Sequence, residues 1–310
     1  MAKAEKIKKY ITHPKQAMSF LINYTGVLNW MSDRPYLKLM YWLKLGKKLN
    51  IDHPDTFCEK LQWLKLYNRC PEYTTMVDKV KVKEYVANIV GPEYVIPAIG
   101  VWNSPDDIDF DSLPDKFVLK CNHASHLGTY ICRDKSKMDI EKVKAALRRG
   151  LRDNYYLHSR EWPYKNVPRK ILAEKLIEDN NRQNSNDILD YKFFCFDGEP
   201  RFLYVSDDSH HSVFLNTDWT YADMSRDDYK PLKEVPTKPD NLNEMLDVAR
   251  KLSKGIPHVR VDLYNVNGQI YFGEMTFFTN GGFIPFNPES CDKEIGDMLQ
   301  LSGYCIGGGN

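Results

Sequence analysis

The chain has 310 residues, 42% hydrophobic and 27% charged, with a formal net charge of +1; it is long enough to bury a sizeable core, and its charge balance excludes a protein held to nucleic acid by bulk basicity. The seven cysteines, Cys58, Cys70, Cys121, Cys132, Cys195, Cys291 and Cys305, are odd in number and scattered, without a Cys-x-x-Cys pair or a cysteine–histidine spacing for zinc. They read as reduced, mostly buried side chains, which points to a cytosolic enzyme and excludes a secreted disulfide scaffold.

Charge is unevenly placed. Residues 1–50 hold ten lysines and arginines (Lys3, Lys6, Lys8, Lys9, Lys15, Arg34, Lys38, Lys44, Lys47, Lys48) against Glu5 and Asp33, a net +8, which leaves −7 for the rest. Within this basic segment Gln16 to Ser32 is uncharged. Asn23, Tyr24, Thr25 and Asn29 interrupt its apolar run, no small-residue cleavage site follows, and the run is short for a membrane span, so neither secretion nor spanning is expected. Two readings stand: a basic, apolar face lying peripherally on an anionic membrane surface, or an amphipathic helix packed on the body of the protein. Residues 1–53 are accordingly set apart as a helical N-terminal extension, 54–302 as the body and 303–310 as a glycine-rich flexible tail.

From Pro54 to Tyr67, apolar Phe57, Leu61, Trp63, Leu64 and Leu66 mark a core-facing helix with Asp55 or Thr56 as N-cap. Met76 to Val86 alternates Lys79, Lys81 and Lys83 with valines and suits a helix capped by Asp78 or a strand equally well. Phe117 to Leu119 reads as a strand, Cys121 to Gly128 as a polar turn and Thr129 to Cys132 as the returning strand. Lys120, at that strand end, can reach an anion to which loop amides also donate. His123 and His126 read as surface or hydrogen-bonding groups rather than metal ligands. Met138 to Tyr156 is a basic helix, and Arg160-Glu161-Trp162 after it is placed at the acceptor site by position alone. Lys170 to Glu178 is a short apolar strand. Asp190-Tyr191-Lys192 opens another strand that runs into the hairpin pair Asp197-Gly198; Asp190 and Lys192 suit ribose and phosphate, or are edge-strand charges. Ser206 to Lys238 is a polar excursion, and Leu242 to Ser253 an amphipathic helix.

The densest chemistry follows. In His258 to Pro288, Arg260 and Asp262 alternate with Val259, Val261 and Leu263, Asn267-Gly268 supplies a hairpin turn, and a second strand ends near Gly273. Asp262 and Glu274 can then lie side by side on antiparallel strands, as ordinary solvent-facing carboxylates or as a pair holding a hard cation such as Mg²⁺ beside a phosphate. Arg260 on the face of Asp262, and Asn280-Gly281-Gly282, whose backbone would approach a ligand, favour a phosphate site.

The string Arg260-x-Asp262, a turn, and a strand ending in Glu274-x-Thr276 resembles the metal-binding hairpin of the ATP-grasp ligases, with Thr276 where that family commonly has Asn. FGEMTFFTNGG resembles the TupA-like branch, associated with bacterial surface-polysaccharide gene clusters. Pro54, Thr56, Phe57, Lys60 and Leu61 resemble the branch's opening signature, and Asp78-Lys79 the Asp-Lys that opens the ATP-grasp middle region. The loop after Lys120 departs from the family, carrying Ala124 and His126 where glycines are usual. The resemblance implies an α+β ATP-grasp body, ATP and Mg²⁺ as cofactors, and a ligase joining a carboxylate to an amine on a sugar-linked acceptor. It implies Lys79 and Lys120 on phosphate, backbone groups of Lys175, Leu176 and Ile177 under adenine with Glu174 at its edge, Asp190 and Lys192 on ribose and phosphate, Mg²⁺ on Asp262, Glu274 and Thr276, and Arg260 and Lys120 in catalysis. Alternatives are a glycosyltransferase, whose Asp-x-Asp would have to be Asp107-Ile108-Asp109, and a nucleotide-binding protein of weakened catalysis.

Overall fold

The structure is a computed structural model that describes residues 14–125, 127–179, 188–232 and 234–301. Lys3, Lys6, Lys8 and Lys9, His126, most of the polar loop before Asp190 and the 303–310 tail lie outside the described residues. Five helices come first: α1 Pro14–Thr25, α2 Asp33–Leu45, α3 Phe57–Tyr67, α4 Glu72–Val77 and α5 Lys81–Val90. Of the two candidate caps of α3, Thr56 is used: its hydroxyl accepts from Glu59 N–H while the Glu59 carboxylate accepts from Thr56 N–H, satisfying two donors that the first turn leaves open. The lysine–valine run is helical. Val82 and Val86 are its buried residues, four apart on one face.

A four-stranded antiparallel sheet follows, built from β1 Ala98–Trp102, β2 Phe117–Cys121, β3 Tyr130–Cys132 and β4 Ile171–Lys175 in the order β1-β4-β2-β3. Helix α6, Ile140–Arg152, packs on it through Val143 and Leu147. A Cβ at Gly150 would meet Cys121 Sγ and Gly128 Cα at 2.7 Å each, so this close helix–sheet contact requires that glycine. The short helix α7, Tyr156–Ser159, lies between α6 and β4 in the chain.

The second, larger sheet takes β5 Asp190–Phe196, β6 Glu199–Ser206, β7 His211–Asn216, β9 Lys230–Pro231, β10 His258–Val266 and β11 Gln269–Thr276, ordered β11-β10-β5-β6-β7-β9; β8 Ser225–Arg226 pairs instead with β12 Phe286–Asn287. The β5–β6 and β10–β11 hairpins turn at Asp197-Gly198 and Asn267-Gly268, all four residues at positive φ, the conformation that a two-residue turn matched to strand twist demands. Helix α8, Leu242–Ser253, covers one face with Met245, Val248, Ala249 and Leu252 against Val259, Val261 and Leu263. Toward the His258 end, α3 covers the other face: the Phe57 ring stands 4.9 Å from His258 and 5.7 Å from Phe196. Helix α9, Cys291–Met298, packs on α3.

The expected boundary at residue 53 does not divide the core. Tyr36, Leu37, Met40, Tyr41 and Leu43 of α2, then Leu49 and Ile51, are buried in the same cluster as Phe57 and Phe283. The amphipathic-helix reading therefore describes α2. Among the described residues no helix is long and apolar enough to cross a membrane.

Candidate active site

The hairpin β10–β11 holds Asp262 and Glu274 directly opposite each other. This pairing depends on an irregularity. Leu263 pairs with Phe272 but Asp262 with Glu274, so Gly273 is an extra residue on β11. Strand side chains alternate between faces, so if Gly273 were paired regularly opposite Asp262, Glu274 would fall opposite Val261 and point into the core. The bulge switches the parity. Its trace in the sequence is the apolar spacing Ile270, Phe272, then Met275. A Cβ at position 273 would lie 3.1 Å from Asp262 O and 3.2 Å from the Tyr264 ring, a close approach that glycine makes easy.

Around these carboxylates the face is densely ionic. Arg260 Nε and Nη2 donate to the two oxygens of Asp262 at 2.6 Å each, and Nη2 reaches Thr276 Oγ1 at 3.0 Å and Glu274 Oε1 at 3.3 Å. Lys192, the β5 register partner of Asp262, bridges Asp190 and Asp262, at 2.8 Å to the latter. Asp262 is 1% exposed and the Glu274 side chain 42%, so Glu274 is the carboxylate that faces open space. Burial pushes the Glu274 carboxyl up, but Lys79, Arg260 and Lys192 outweigh it and hold it at about 2. Burial raises Asp190 to about 6 against the pull of Lys192. Lys192 stays charged: desolvation works against it, and Asp190 with Asp262 more than compensates.

Facing the bulge from the smaller sheet is a pocket lined by Lys79, Val82, Lys83, Val95, Lys120, Glu174, Phe272 and Gly273. Three cations and one carboxylate share it. Glu174, 6% exposed, binds Lys83 through Oε1 at 2.5 Å and Lys120 through Oε2 at 2.6 Å. Burial lowers the Lys79 ammonium, opposed by Glu274, and its Nζ donates to Ala124 O at 2.9 Å. Lys83 escaped the sequence reading; it lies in the first turn of α5, four residues beyond Lys79 in the turn that leads into that helix, a signal usable only once the helix start is known. Apolar Val82, Val95 and Phe272 beside cations suit a flat ring attached to phosphates.

Other expected site residues are placed differently. Asp190, Lys192, Arg260, Asp262, Glu274 and Thr276 form one cluster, and Lys79, Lys120 and Glu174 line the facing pocket. Lys175 is exposed with its N–H bonded to Pro97 O at 3.0 Å, and Leu176 and Ile177 follow just past the end of β4. The glycine turn approaches protein instead of open space. Gly281 O and Gly282 O accept from Gln62 Nε2, at 3.3 and 2.6 Å, and Gly281 O also from Lys65 Nζ at 2.6 Å, and a Cβ at Gly282 would sit 2.4 Å from Gln62 Nε2. Arg160 is buried and donates to Leu28 O and Met31 O, so it is structural. Buried Glu161 accepts from Ser159 Oγ at 2.6 Å, and its carboxyl is raised by burial and by nearby Glu274, which puts it at the margin of the site. His123 is buried with Nε2 3.2 Å from Asp153 O, the hydrogen-bonding role expected of it. Ala124, also buried, belongs to the small core.

Two carboxylates in register, one open to the cleft, with a hydroxyl beside them, are a hard-oxygen set short of the six oxygens that Mg²⁺ takes; phosphate oxygens and water can supply the remainder. The residues therefore fit this ion. Among the described residues no group of three or more histidine, cysteine or acidic side chains is placed to hold a metal by itself.

The TupA-like ATPgrasp family model matches residues 59–300. Among solved structures, the chain is similar to D-alanine–D-alanine ligase from Bacillus anthracis complexed with ATP, at 18% identity over 73% of this chain and 63% of that one with a TM-score of 0.41. It is similar to the Helicobacter pylori D-alanine–D-alanine ligase at 15% identity over 79% and 69%, TM-score 0.48, and to N5-carboxyaminoimidazole ribonucleotide synthetase from Thermus thermophilus at 11% over 73% and 53%, TM-score 0.38. The chain thus spans 53% to 69% of the length of these structures, and likenesses of this degree carry neither residue roles nor substrates across. No curated protein sequence matches the chain. Because the family match runs through both the lysine pocket and the carboxylate hairpin, the chain belongs to the TupA-like ATP-grasp family.

Proposed function

We propose that the protein is an ATP-dependent carboxylate–amine ligase. The observation that carries this reading is the in-register pair Asp262 and Glu274 set against the pocket of Lys79, Lys83 and Lys120. ATP lies between the two sheets, its base near Leu176 and Ile177 and the edge of Glu174, its phosphates toward Lys79 and Lys120, with Asp190 and Lys192 at the ribose-to-phosphate side. Mg²⁺, when bound, is held by Asp262 and Glu274 with Thr276 beside them, and screens phosphate charge. A substrate carboxylate oxygen attacks the γ-phosphorus while the bond to the bridging oxygen of ADP breaks. The amine nitrogen of the second substrate then adds to the acyl carbon, phosphate leaves with the transferred oxygen, and one proton is released with the amide. Arg260 and Lys120 offset charge on the transferred group without moving at the moment of reaction.

No side-chain nucleophile is required. For the carboxylate and amine, the branch's association favours a sugar of a surface polysaccharide. The glycosyltransferase alternative has no support. In Asp107-Ile108-Asp109, Asp107 Oδ2 accepts from Ser104 N–H and Asp109 Oδ1 from Asp111 N–H, 3.1 Å each, turn roles that need no metal.

The test is thermal stability with Mg-ATP and, separately, with UDP-sugars. Ligand at about 100 times its Kd adds about 2.7 kcal/mol to the folded state, so a clear Mg²⁺-dependent rise with ATP is expected, with no rise for UDP-sugars. Glu274→Gln should lose most of the Mg²⁺-dependent part. An unchanged Mg-ATP shift in that variant, or a shift with a UDP-sugar and none with ATP, rules the reading out. ATP binding without ADP formation across a panel of uronic acids and amino sugars would favour weakened catalysis.

A further inference from the structure

We propose that α1 and the turn after it form a docking surface for an anionic lipid bilayer. One side of α1 is committed to the protein: Ser19 is buried, and Tyr36 OH donates to Asn23 Oδ1 at 2.7 Å, fastening α1 to α2. The other side is apolar and open. Met18, Leu21 and Tyr24 are 54%, 58% and 80% exposed, and beyond the helix Val27 and Trp30 are 59% and 80% exposed. Phe20 stacks on Tyr24 with ring centroids 6.0 Å apart. Tyrosine and tryptophan, apolar with a polar tip, suit the boundary between headgroups and acyl chains, and Gln16 to Ser32 contains no charged residue that insertion would have to desolvate.

The turn is fixed. Buried Arg160 donates from Nη2 to Leu28 O at 3.0 Å and Met31 O at 3.1 Å, and its guanidinium stands 4.2 Å over the Tyr36 ring. Asn29 N–H bonds to Gly26 O and Met31 N–H to Leu28 O. Val27 and Trp30 are thus presented with little further ordering needed on docking.

Charge selects the partner. Lys15 Nζ lies 4.5 Å over the half-exposed Trp42 ring, with exposed Lys38 one turn away, so cations flank the apolar stripe. The nearby acids are engaged: Asp33 with Arg69 at 2.7 Å and Asp52 with Arg34 at 2.5 Å. Among the described residues, 14–50 hold Lys15, Arg34, Lys38, Lys44, Lys47 and Lys48 against Asp33, a net +5 in a chain of +1, so the molecule turns this end toward an anionic surface. A second copy would bring the same +5 to the contact, which disfavours self-association through this face.

The experiment is flotation of the full chain with vesicles of phosphatidylcholine alone or with about 30 mol% phosphatidylglycerol. Binding is expected only to the anionic vesicles and should fall with added salt. The triple variant Leu21→Ser, Tyr24→Ser, Trp30→Ser should bind at least about tenfold more weakly, and Lys15→Gln with Lys38→Gln should weaken binding by several-fold. Both variants should keep the wild-type melting temperature and Mg-ATP shift, so a lost site is not mistaken for a lost fold. No phosphatidylglycerol-dependent flotation of the wild type overturns the proposal. So does retained binding by the triple variant, or a wild-type dimer, monomeric in that variant, that ignores vesicles.

Discussion

Arg260 ties the candidate site together. Its guanidinium closes a bidentate pair with buried Asp262 and also reaches Thr279 Oγ1 at 3.2 Å and Tyr204 OH at 3.3 Å. Removing one partner of a buried, hydrogen-bonded pair strands the other charge; Arg260→Met is expected to lower unfolding free energy by about 3 kcal/mol and to abolish the Mg-ATP thermal shift. Urea unfolding and the shift assay check the two effects separately. His258, two residues earlier on the same face, works oppositely. It is 1% exposed, its Nδ1 pairs with Cys195 O at 2.9 Å, and its Nε2 has no partner. Burial drives the imidazole down to about 3. Above about pH 6.5 folded and unfolded chains both hold it neutral. As pH falls from there toward about 3, the unfolded chain takes up a proton that the folded one refuses, and stability drops by up to ~1.4 kcal/mol per pH unit. His258→Phe should flatten the fall of melting temperature between pH 6.5 and 4; an unchanged slope would place the acid sensitivity elsewhere.

Among the elements, the β10–β11 hairpin brings Arg260, Asp262, Glu274 and Thr276 of the candidate site together. Deleting Gly273 removes the extra residue and should leave Phe272, Glu274 and Met275 in regular alternation, with Glu274 still opposite Asp262. The deletion variant should therefore fold and keep the Mg-ATP thermal shift; a collapse of the melting temperature would mean that Glu274 had moved to the core face, where burying a carboxylate costs several kcal/mol. The turn after β11 makes a second case. Asn280, Gly281 and Gly282 all have positive φ, and α3 approaches them through Gln62 and Lys65. Gly282→Ala meets both the backbone strain and the Gln62 amide, and should cost about 2 kcal/mol in chemical denaturation. Combined with Gln62→Ala it should cost less than the sum of the single changes, because the two share one contact.

At the scale of the molecule, two unequal cores face one cleft. The core of the four-stranded sheet and α6 is much the smaller, while the six-stranded sheet is sealed by α2, α3, α8 and α9. Less buried apolar area means easier local opening. Amides of Val118, Leu119, Leu172 and Ala173 should exchange with solvent faster than those of Phe193, Leu203 and Val261, and Mg-ATP should slow the first group most, because the proposed site sets its phosphates between both sheets. Exchange mass spectrometry reads this; equal rates would mean that the molecule opens as one unit.

The sequence by itself determined the hairpin turns at Asn267-Gly268 and Asp197-Gly198, a helix start at Asp55 or Thr56, the amphipathic helices and the company of Arg260, Asp262 and Glu274, because turn chemistry, periodicity and short spacing act within a few residues. Only the tertiary structure decided the rest. It made the lysine–valine run a helix and so brought Lys83 to Glu174, used the carbonyls of the glycine turn on Gln62 and Lys65, drew α2 into the main core, and placed Lys79, Lys120 and Glu174 across from a bulge that turns Glu274 outward. They rest on contacts between distant groups, such as Lys79 with Ala124, 45 positions apart, and Gln62 with Gly282, 220 apart, whose pairing is fixed by the packing of two sheets and left open by local preference.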